Sequence, residues 1–251
     1  PLAVCALSLE GQPLDMARLR VVRPLQLSSL PVNPAAANRA ERLPGRQLTV
    51  TLAAPAGAWQ LHWRALLRDG SHYIRQEITL HAGAAAVPVT EVTLLDLPAA
   101  EAQVVGAVAG SPLTIAGRWF AGFEHPLSHA AAGQGRVRAF FTRGLPLAAG
   151  HEAVYSSVIG IAAPGQMRRD FLAYIERERA HPYRPFLHYN SWFDLGYFTP
   201  YEQTGCLDVI QTFGQQLYRR RSVQLDSFLF DDGWDNHDDW SFNACFPNGF
   251  T

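Results

Sequence analysis

The sequence predicts a multidomain α+β chain: an antiparallel β-sandwich over residues 1–162, a linking helix over 163–183, and a parallel βαβ unit over 184–251. Three observations carry this prediction. Short runs with alternating or β-branched character recur between turn residues through roughly the first 160 positions. Apolar residues at helical spacing then appear in a charged background. Finally, two nearly continuous apolar runs enclose a second helical pattern, as expected of strands buried on both faces of a parallel sheet.

In the first part, the predicted strands are 47–52, 58–67, 73–81, 89–95, 113–116, 136–142 and 153–161. Arg68-Asp69-Gly70-Ser71 is a hairpin-type turn between the second and third of them. Many short strands at near-regular spacing point to a sandwich. The polar, proline-rich stretch 31–46 predicts a surface loop. There is no internal repeat, and low complexity is confined to alanine-rich turns. Over 164–180, Met167, Phe171, Tyr174 and Ile175 recur at helical spacing, and His181-Pro182 ends the helix. A strand follows at 185–189. Thr199-Pro200-Tyr201-Glu202 combines a threonine cap, proline at the first helical position and a glutamate to close a capping box. The helix it starts would bury Cys206, Val209, Ile210, Phe213 and Leu217, with Arg219, Arg220 and Arg221 at its negative end. The last strand is 223–230.

Composition removes several function classes. The chain is 48% hydrophobic and 17% charged, as a globular protein is. A net charge of −1 gives no electrostatic basis for a nucleic-acid partner or an anionic membrane surface. No apolar stretch reaches the roughly 18 residues that a membrane span needs. All 21 basic residues are arginine, so no Schiff-base lysine or P-loop lysine is present. Cys5, Cys206 and Cys245 match neither a zinc spacing nor a disulfide framework.

The chemistry-bearing residues cluster after the two late strands. Phe228-Leu229-Phe230 runs straight into Asp231-Asp232-Gly233-Trp234, and Tyr189-Asn190-Ser191-Trp192-Phe193-Asp194 is its companion. Both lie at the carboxyl ends of predicted parallel strands, where barrels and doubly wound sheets alike place their sites. Carboxylates accept hydrogen bonds from hydroxyls, and an aromatic face covers the apolar side of a sugar ring. Asn190, Trp192, Asp194, Asp231, Asp232 and Trp234 are therefore the candidate sugar-binding residues. Neighbours on a strand point to opposite faces, whereas a retaining glycosidase needs carboxyl groups about 5 Å apart across the scissile bond. Asp231 and Asp232 thus read as ligands to a sugar and not as an acid–nucleophile couple. Together with Asp235, Asp238 and Asp239 they fail the EF-hand spacing, and neither a metal nor a cofactor is expected.

Other motifs carry less. Glu124-His125-Pro126 reads as a loop against the next domain, with Glu124 and His125 as candidate contributors at the domain interface. His125 and His129 have a zinc-like spacing, but Pro126 argues against a regular helix there. Gly133-Gln134-Gly135 lacks the third glycine of a dinucleotide loop, Arg138 standing in its place, and no Gly-x-Ser-x-Gly elbow occurs.

The phrase Tyr189-Asn190-Ser191-Trp192 with Asp194, followed by Asp231-Asp232-Gly233-Trp234, resembles the α-galactosidases of glycoside hydrolase family 36 and their clan. The order of sandwich, linking helix and strand–helix–strand is similar too, as is Phe123-Glu124-His125-Pro126 in bacterial members. The resemblance implies that 184–251 opens a (β/α)8 barrel, with Asp231 and Asp232 matching the carboxylates that bind O4 and O6 of a terminal α-galactose. Trp192 matches a wall of that subsite. His188-Tyr189 replaces the usual Gly-Trp before Asn190, which leaves galactose, N-acetylgalactosamine and other sugars open as the ring bound.

The family's nucleophile and acid/base lie on its fourth and sixth strands. The chain is accordingly expected to be the N-terminal fragment of a retaining, exo-acting hydrolase, with no catalytic residue in this segment. Two readings compete with it: a non-catalytic carbohydrate-binding protein and a raffinose-synthase-like transferase. Against the latter stands Asn190-Ser191-Trp192, since that branch carries a different first-strand motif. An uncovered strand edge and helix face are expected of two barrel strands. Bacterial cytoplasmic and exported locations both stay open, as does the oligomeric state.

Overall fold

The computed structural model describes residues 5–196 and 199–249, and the chain divides into two compact units, Pro1–Pro182 and Tyr183–Thr251. The first unit contains β1 (Ala6–Leu9), β2 (Gln12–Pro13), β3 (Arg20–Leu30), β4 (Gly45–Ala53), β5 (Trp59–Arg68) and β6 (Tyr73–Ala82). It continues with β7 (Val89–Pro98), β8 (Ala102–Val104), β9 (Leu113–Ile115), β10 (Trp119–Phe123), β11 (His129–Gly133), β12 (Arg136–Thr142) and β13 (Glu152–Ile161). These form a five-stranded sheet, β11-β12-β7-β1-β2, and an eight-stranded sheet, β3-β4-β5-β6-β13-β10-β9-β8. Their pairings are antiparallel.

Alternation explains why the two sheets pack. Leu61 and Trp63 of β5, Ile78 and Leu80 of β6 and Tyr155 of β13 meet Leu7, Val92, Leu94, Val137 and Ala139 of the smaller sheet. Burying each large apolar side chain contributes about 1.5–3 kcal/mol. One polar group sits among them and is fully satisfied. The Gln76 amide accepts from Trp63 Nε1 at 2.9 Å and donates to the Leu94 carbonyl at 2.7 Å and Ser157 Oγ at 3.2 Å.

The helix α1 (Met167–Glu178) sets Met167, Phe171, Tyr174 and Ile175 against Tyr73, Phe120 and Val158 of the eight-stranded sheet. Gly160 makes room for this contact, since a Cβ there would lie 2.1 Å from Phe120 Cζ. The linking helix expected over 163–183 thus falls, up to Pro182, within the first compact unit. None of the helices among the described residues is long and apolar enough to cross a membrane.

In the second unit, β14 (His188–Asn190) and β15 (Ser227–Leu229) pair in parallel, with Tyr189 opposite Phe228 and Asn190 opposite Leu229. Between them in sequence lies α2 (Gln203–Phe213), continued by a π-helical turn over Gly214–Arg219. The short strands β16 (Asp235–Asn236) and β17 (Ser241–Phe242) form a hairpin after the last motif.

Two expectations need correction here. The parallel strands are shorter than 185–189 and 223–230, because Asp226 closes their entrance: its carboxylate accepts the Leu187 N–H at 2.9 Å, and its own N–H donates to the Leu187 carbonyl at 2.7 Å. Neither strand is buried on both faces, as His188 and Leu229 are exposed. The predicted capping box is absent as well. The helix starts at Gln203, with Glu202 at its cap and no side-chain cap bond. Tyr201 is instead drawn into a cluster with Cys206 and Phe246, and its N–H donates to the Gly233 carbonyl at 3.3 Å. That pull keeps the segment from turning into helix at Thr199.

Candidate functional site

The two motifs converge because their strands are neighbours. Asn190 and Leu229 are register partners at the ends of β14 and β15, so the residues just beyond them emerge side by side. Ser191 is fully buried and supplies the connection: its Oγ accepts the Asp231 N–H at 2.7 Å. From the other side, the Tyr201 hydroxyl donates to the Asp231 carbonyl oxygen. Burial pushes that hydroxyl's pKa up to about 12, so it stays a donor at neutral pH.

Past Asp231 the chain turns sharply. The Asp231 carboxylate accepts the Asp232 N–H at 3.0 Å, which folds its side chain back on the turn. Gly233 follows with φ +118°, and a Cβ there would lie 2.6 Å from the Thr199 carbonyl oxygen and 2.8 Å from the Tyr201 ring. Only glycine fits such a position. The turn is stitched down by Asn243 Nδ2, which donates to the Gly233 carbonyl at 2.6 Å. Asp231, Asp232 and Trp234 are half-buried. Among the described residues, no hydrogen bond or ion pair engages the Asp232 carboxylate.

The first motif is also locked locally. Asn190 Oδ1 accepts the Trp192 N–H at 2.8 Å and starts a short 3-10 turn over Ser191–Phe193. The Tyr189 hydroxyl donates to Asp194 Oδ2 at 2.8 Å. Burial first, and then the Asp194 carboxylate, raise the Tyr189 pKa well above its ordinary value. Trp192, Asp194 and Thr199 line a surface concavity of about 500 Å3. The Trp234 ring packs at 5.4 Å on Phe242 and joins the Tyr201–Cys206–Phe246 cluster. No group of three or more His, Cys, Asp or Glu arranged to hold a metal occurs among the described residues.

No protein-family model matches the sequence, and no curated protein does so either. Solved structures do match. The GH36 alpha-galactosidase AgaB of Geobacillus stearothermophilus aligns over 100% of this chain and 43% of its own, with a TM-score of 0.59 at 15% identity. The alpha-galactosidase of Lactobacillus brevis aligns over 99% and 42%, with a TM-score of 0.57 at 14% identity. The chain has the fold found in GH36 alpha-galactosidases. A variant of AgaA from Geobacillus stearothermophilus, solved with raffinose, repeats the match at a TM-score of 0.57 and 14% identity, over 99% of this chain and 43% of that one. This chain spans less than half the length of these GH36 structures.

Glu124 and His125 lie at the end of β10 in the sandwich of this GH36-like fold. Arg75 grips the Glu124 carboxylate with Nε at 3.0 Å from each oxygen and Nη2 at 2.7 Å from Oε2, while the Tyr174 hydroxyl donates to Oε1 at 2.6 Å. Burial would raise the Glu124 pKa, but the Arg75 charge and these hydrogen bonds win and hold it below the ordinary range. Glu124 thereby fastens α1 to the sheet. His125 Nδ1 accepts the Leu127 N–H at 3.1 Å, and the ring lies 4.3 Å from that of Phe141. Two residues that organise the second unit's site, Ser191 and Tyr201, were not among the sequence candidates. Ser191 carried one signal: it is the small residue between Asn190 and Trp192, where an alternating chain turns inward.

Proposed function

We propose that this chain is the N-terminal part of a retaining, exo-acting α-galactosidase-like glycoside hydrolase. In this reading β14, α2 and β15 open its (β/α)8 barrel, and Asp231 and Asp232 hold the terminal α-galactosyl or N-acetylgalactosaminyl unit. The observation that carries it is the Ser191–Asp231 hydrogen bond, which brings the two motifs together at the carboxyl ends of adjacent parallel strands. That edge is where barrels place their chemistry. The fold shared with GH36 alpha-galactosidases, including structures solved with raffinose and stachyose, supports it. So does the exposed apolar surface of the second unit, including Phe186, Leu187, Leu207 and Leu229, which further barrel elements would cover.

Among the described residues the Asp232 carboxylate is uncommitted and the Asp231 carboxylate is fixed by the turn, so the pair presents acceptors to two hydroxyls of one ring. Trp192 and Asp194 border the same unit's concavity and form its wall, with Asn190 setting the turn that presents Trp192. A nucleophilic carboxylate elsewhere in the protein attacks the anomeric carbon and forms a glycosyl-enzyme, while a carboxylic acid protonates the departing oxygen. Water then releases the sugar as that acid turns base.

The test is hydrolysis of p-nitrophenyl α-galactoside by the whole gene product. Asp231→Asn and Asp232→Asn each weaken a charge-assisted bond worth about 1.5–3 kcal/mol, which lowers kcat/KM by about 10- to 150-fold. Turnover within twofold of wild type in both variants would refute the assignment.

A further inference from the structure

The concavity in the second unit has an aromatic lining residue with no part assigned so far. Phe193 stands with Trp192, Asp194, Leu195, Gly196 and Thr199 around its volume of about 500 Å3. The side chain is 86% exposed, and no large hydrophobic residue among the described ones is more so. Its place is nevertheless fixed by the backbone. The 3-10 turn over Ser191–Phe193 is capped by Asn190 Oδ1, and the Asp194 and Leu195 N–H groups both donate to the Ser191 carbonyl at 3.0 Å. Ser191 itself is buried and bonded to Asp231. A flat ring held out by so constrained a turn binds a ligand with little ordering cost.

Two features give the direction in which this ring works. A 3-10 turn has three residues per turn, so neighbouring side chains diverge by about 120°. With Trp192 turned to the terminal sugar, Phe193 faces the position beside it. The other border of the concavity is Thr199, and Gly233 lies directly against it: a Cβ on Gly233 would be 2.6 Å from the Thr199 carbonyl oxygen. The turn that carries Asp231 and Asp232 thus adjoins the concavity at one border, and Phe193 stands at another.

The lining also limits the ligand. It holds no arginine, and Asp194, its charged member, already accepts the Tyr189 hydroxyl at 2.8 Å. A bare aromatic face suits the C–H side of a neutral ring, and the remaining lone pairs of Asp194 suit a hydroxyl at its edge. A second sugar supplies both. Barrel closure explains exposed side chains on strands and helices, such as Leu207 and Leu229, but Phe193 lies beyond the carboxyl end of β14, on the side where barrels bind ligands.

We propose that Phe193 is the platform for the leaving-group side of the substrate, so that the site selects α-galactosides whose leaving group is itself a sugar. This rests on the hydrolase reading given above.

The experiment compares two substrates on the whole gene product: raffinose, with a saccharide leaving group, and α-galactosyl fluoride, whose leaving group is too small to reach the ring. Phe193→Ala should lower kcat/KM for raffinose about fivefold or more, chiefly through KM, and leave the fluoride within twofold. Phe193→Tyr keeps the flat face and should restore raffinose to within threefold. The melting temperature of Phe193→Ala should stay within about 2 °C of wild type, a value that a structural role would move. Trp240, 72% exposed and not part of the concavity lining, serves as the control, and Trp240→Ala should leave both substrates unchanged. The proposal is overturned if Phe193→Ala keeps the raffinose-to-fluoride ratio within twofold, if both substrates fall together, or if Trp240→Ala lowers the ratio as much. It is equally overturned if the wild type hydrolyses the fluoride but not raffinose. In each of these cases the hydrolase reading stands. A wild type inactive on both substrates would refute that reading and this proposal with it.

Discussion

Replacing Ser191 with alanine is the most direct way to ask whether one hydrogen bond aligns the two motifs. Ser191 is fully buried, and its Oγ is the acceptor for the Asp231 N–H at 2.7 Å. Alanine fits the same space, so the change removes an acceptor without adding bulk. Water has no path to replace it, and an unsatisfied buried N–H costs about 1–3 kcal/mol. The Tyr201 bond to the Asp231 carbonyl remains, so the turn loosens at its amide side first. The matching loss of protection at that amide is about 5- to 150-fold. Residue-resolved hydrogen exchange reads this directly, and it avoids treating a chain of two compact units as a single two-state transition. The amides of β5 and β6 in the sandwich serve as internal controls. Ser191→Thr keeps the oxygen but forces a methyl group into a site with no free surface, so it should disturb packing while retaining part of the protection. If Asp231 exchanges within twofold of wild type in Ser191→Ala, the bond does not organise the turn, and the convergence argued from it fails.

Glu124→Gln should destabilise the sandwich by about 2–3 kcal/mol at pH 7, somewhat less than the roughly 3–5 kcal/mol for breaking a fully buried pair, because Arg75 and Glu124 keep some exposure. The Glu124 pKa is lowered on folding. Its contribution is therefore complete above the unfolded carboxylate value of about 4.3 and is lost as pH falls through the lower folded value. Denaturant melts from pH 7 to 3 should show the gap between wild type and Glu124→Gln constant at first and closing below about pH 4; a gap that widens in acid would contradict the assignment. Gly160→Ala drives a methyl group to within 2.1 Å of Phe120 Cζ, an overpacking worth about 1–3 kcal/mol. Thermal melts should show part of that loss recovered in the Gly160→Ala, Phe120→Leu double variant, and no recovery would place the strain elsewhere.

Much of the sandwich was legible because its central strands are long apolar or β-branched runs set between turn residues. β5 buries alternate residues Trp59, Leu61 and Trp63, whereas β6 and β13 bury residues on both faces, because α1 covers Tyr73 and Val158 on the outer side. β3 escaped because it is exposed along its length except at Leu30, so no alternation separates its two sides. β10 stands out in the sequence only through the Glu124-His125 pair at its end, and the alanine-rich β11 has little side chain to pattern. The helix α1 was readable from its stripe, but the glutamate that anchors it was not, since Arg75 and Tyr174 are remote from Glu124 in sequence. The start of α2 shows tertiary contact overriding a strong local signal: Thr199, Pro200 and Glu202 spell a cap, yet burial of Tyr201 decides the backbone. At the candidate site, residue types and strand ends could be named from the sequence. The Ser191–Asp231 bond joins positions 40 residues apart, and no local pattern encodes such a meeting.

The bond from Tyr73 to Glu178 closes across 105 residues, and Tyr174 reaches Glu124 across 50. Closing so long a loop carries an entropic cost that nothing local repays, so these contacts are expected to form after the sheet beneath them is in place. Interactions absent from the folding transition state act on the way out, slowing unfolding more than they hasten folding. The cluster around Glu124 is thus a latch in time: it has little say in how quickly the sandwich assembles and a large one in how long α1 stays docked.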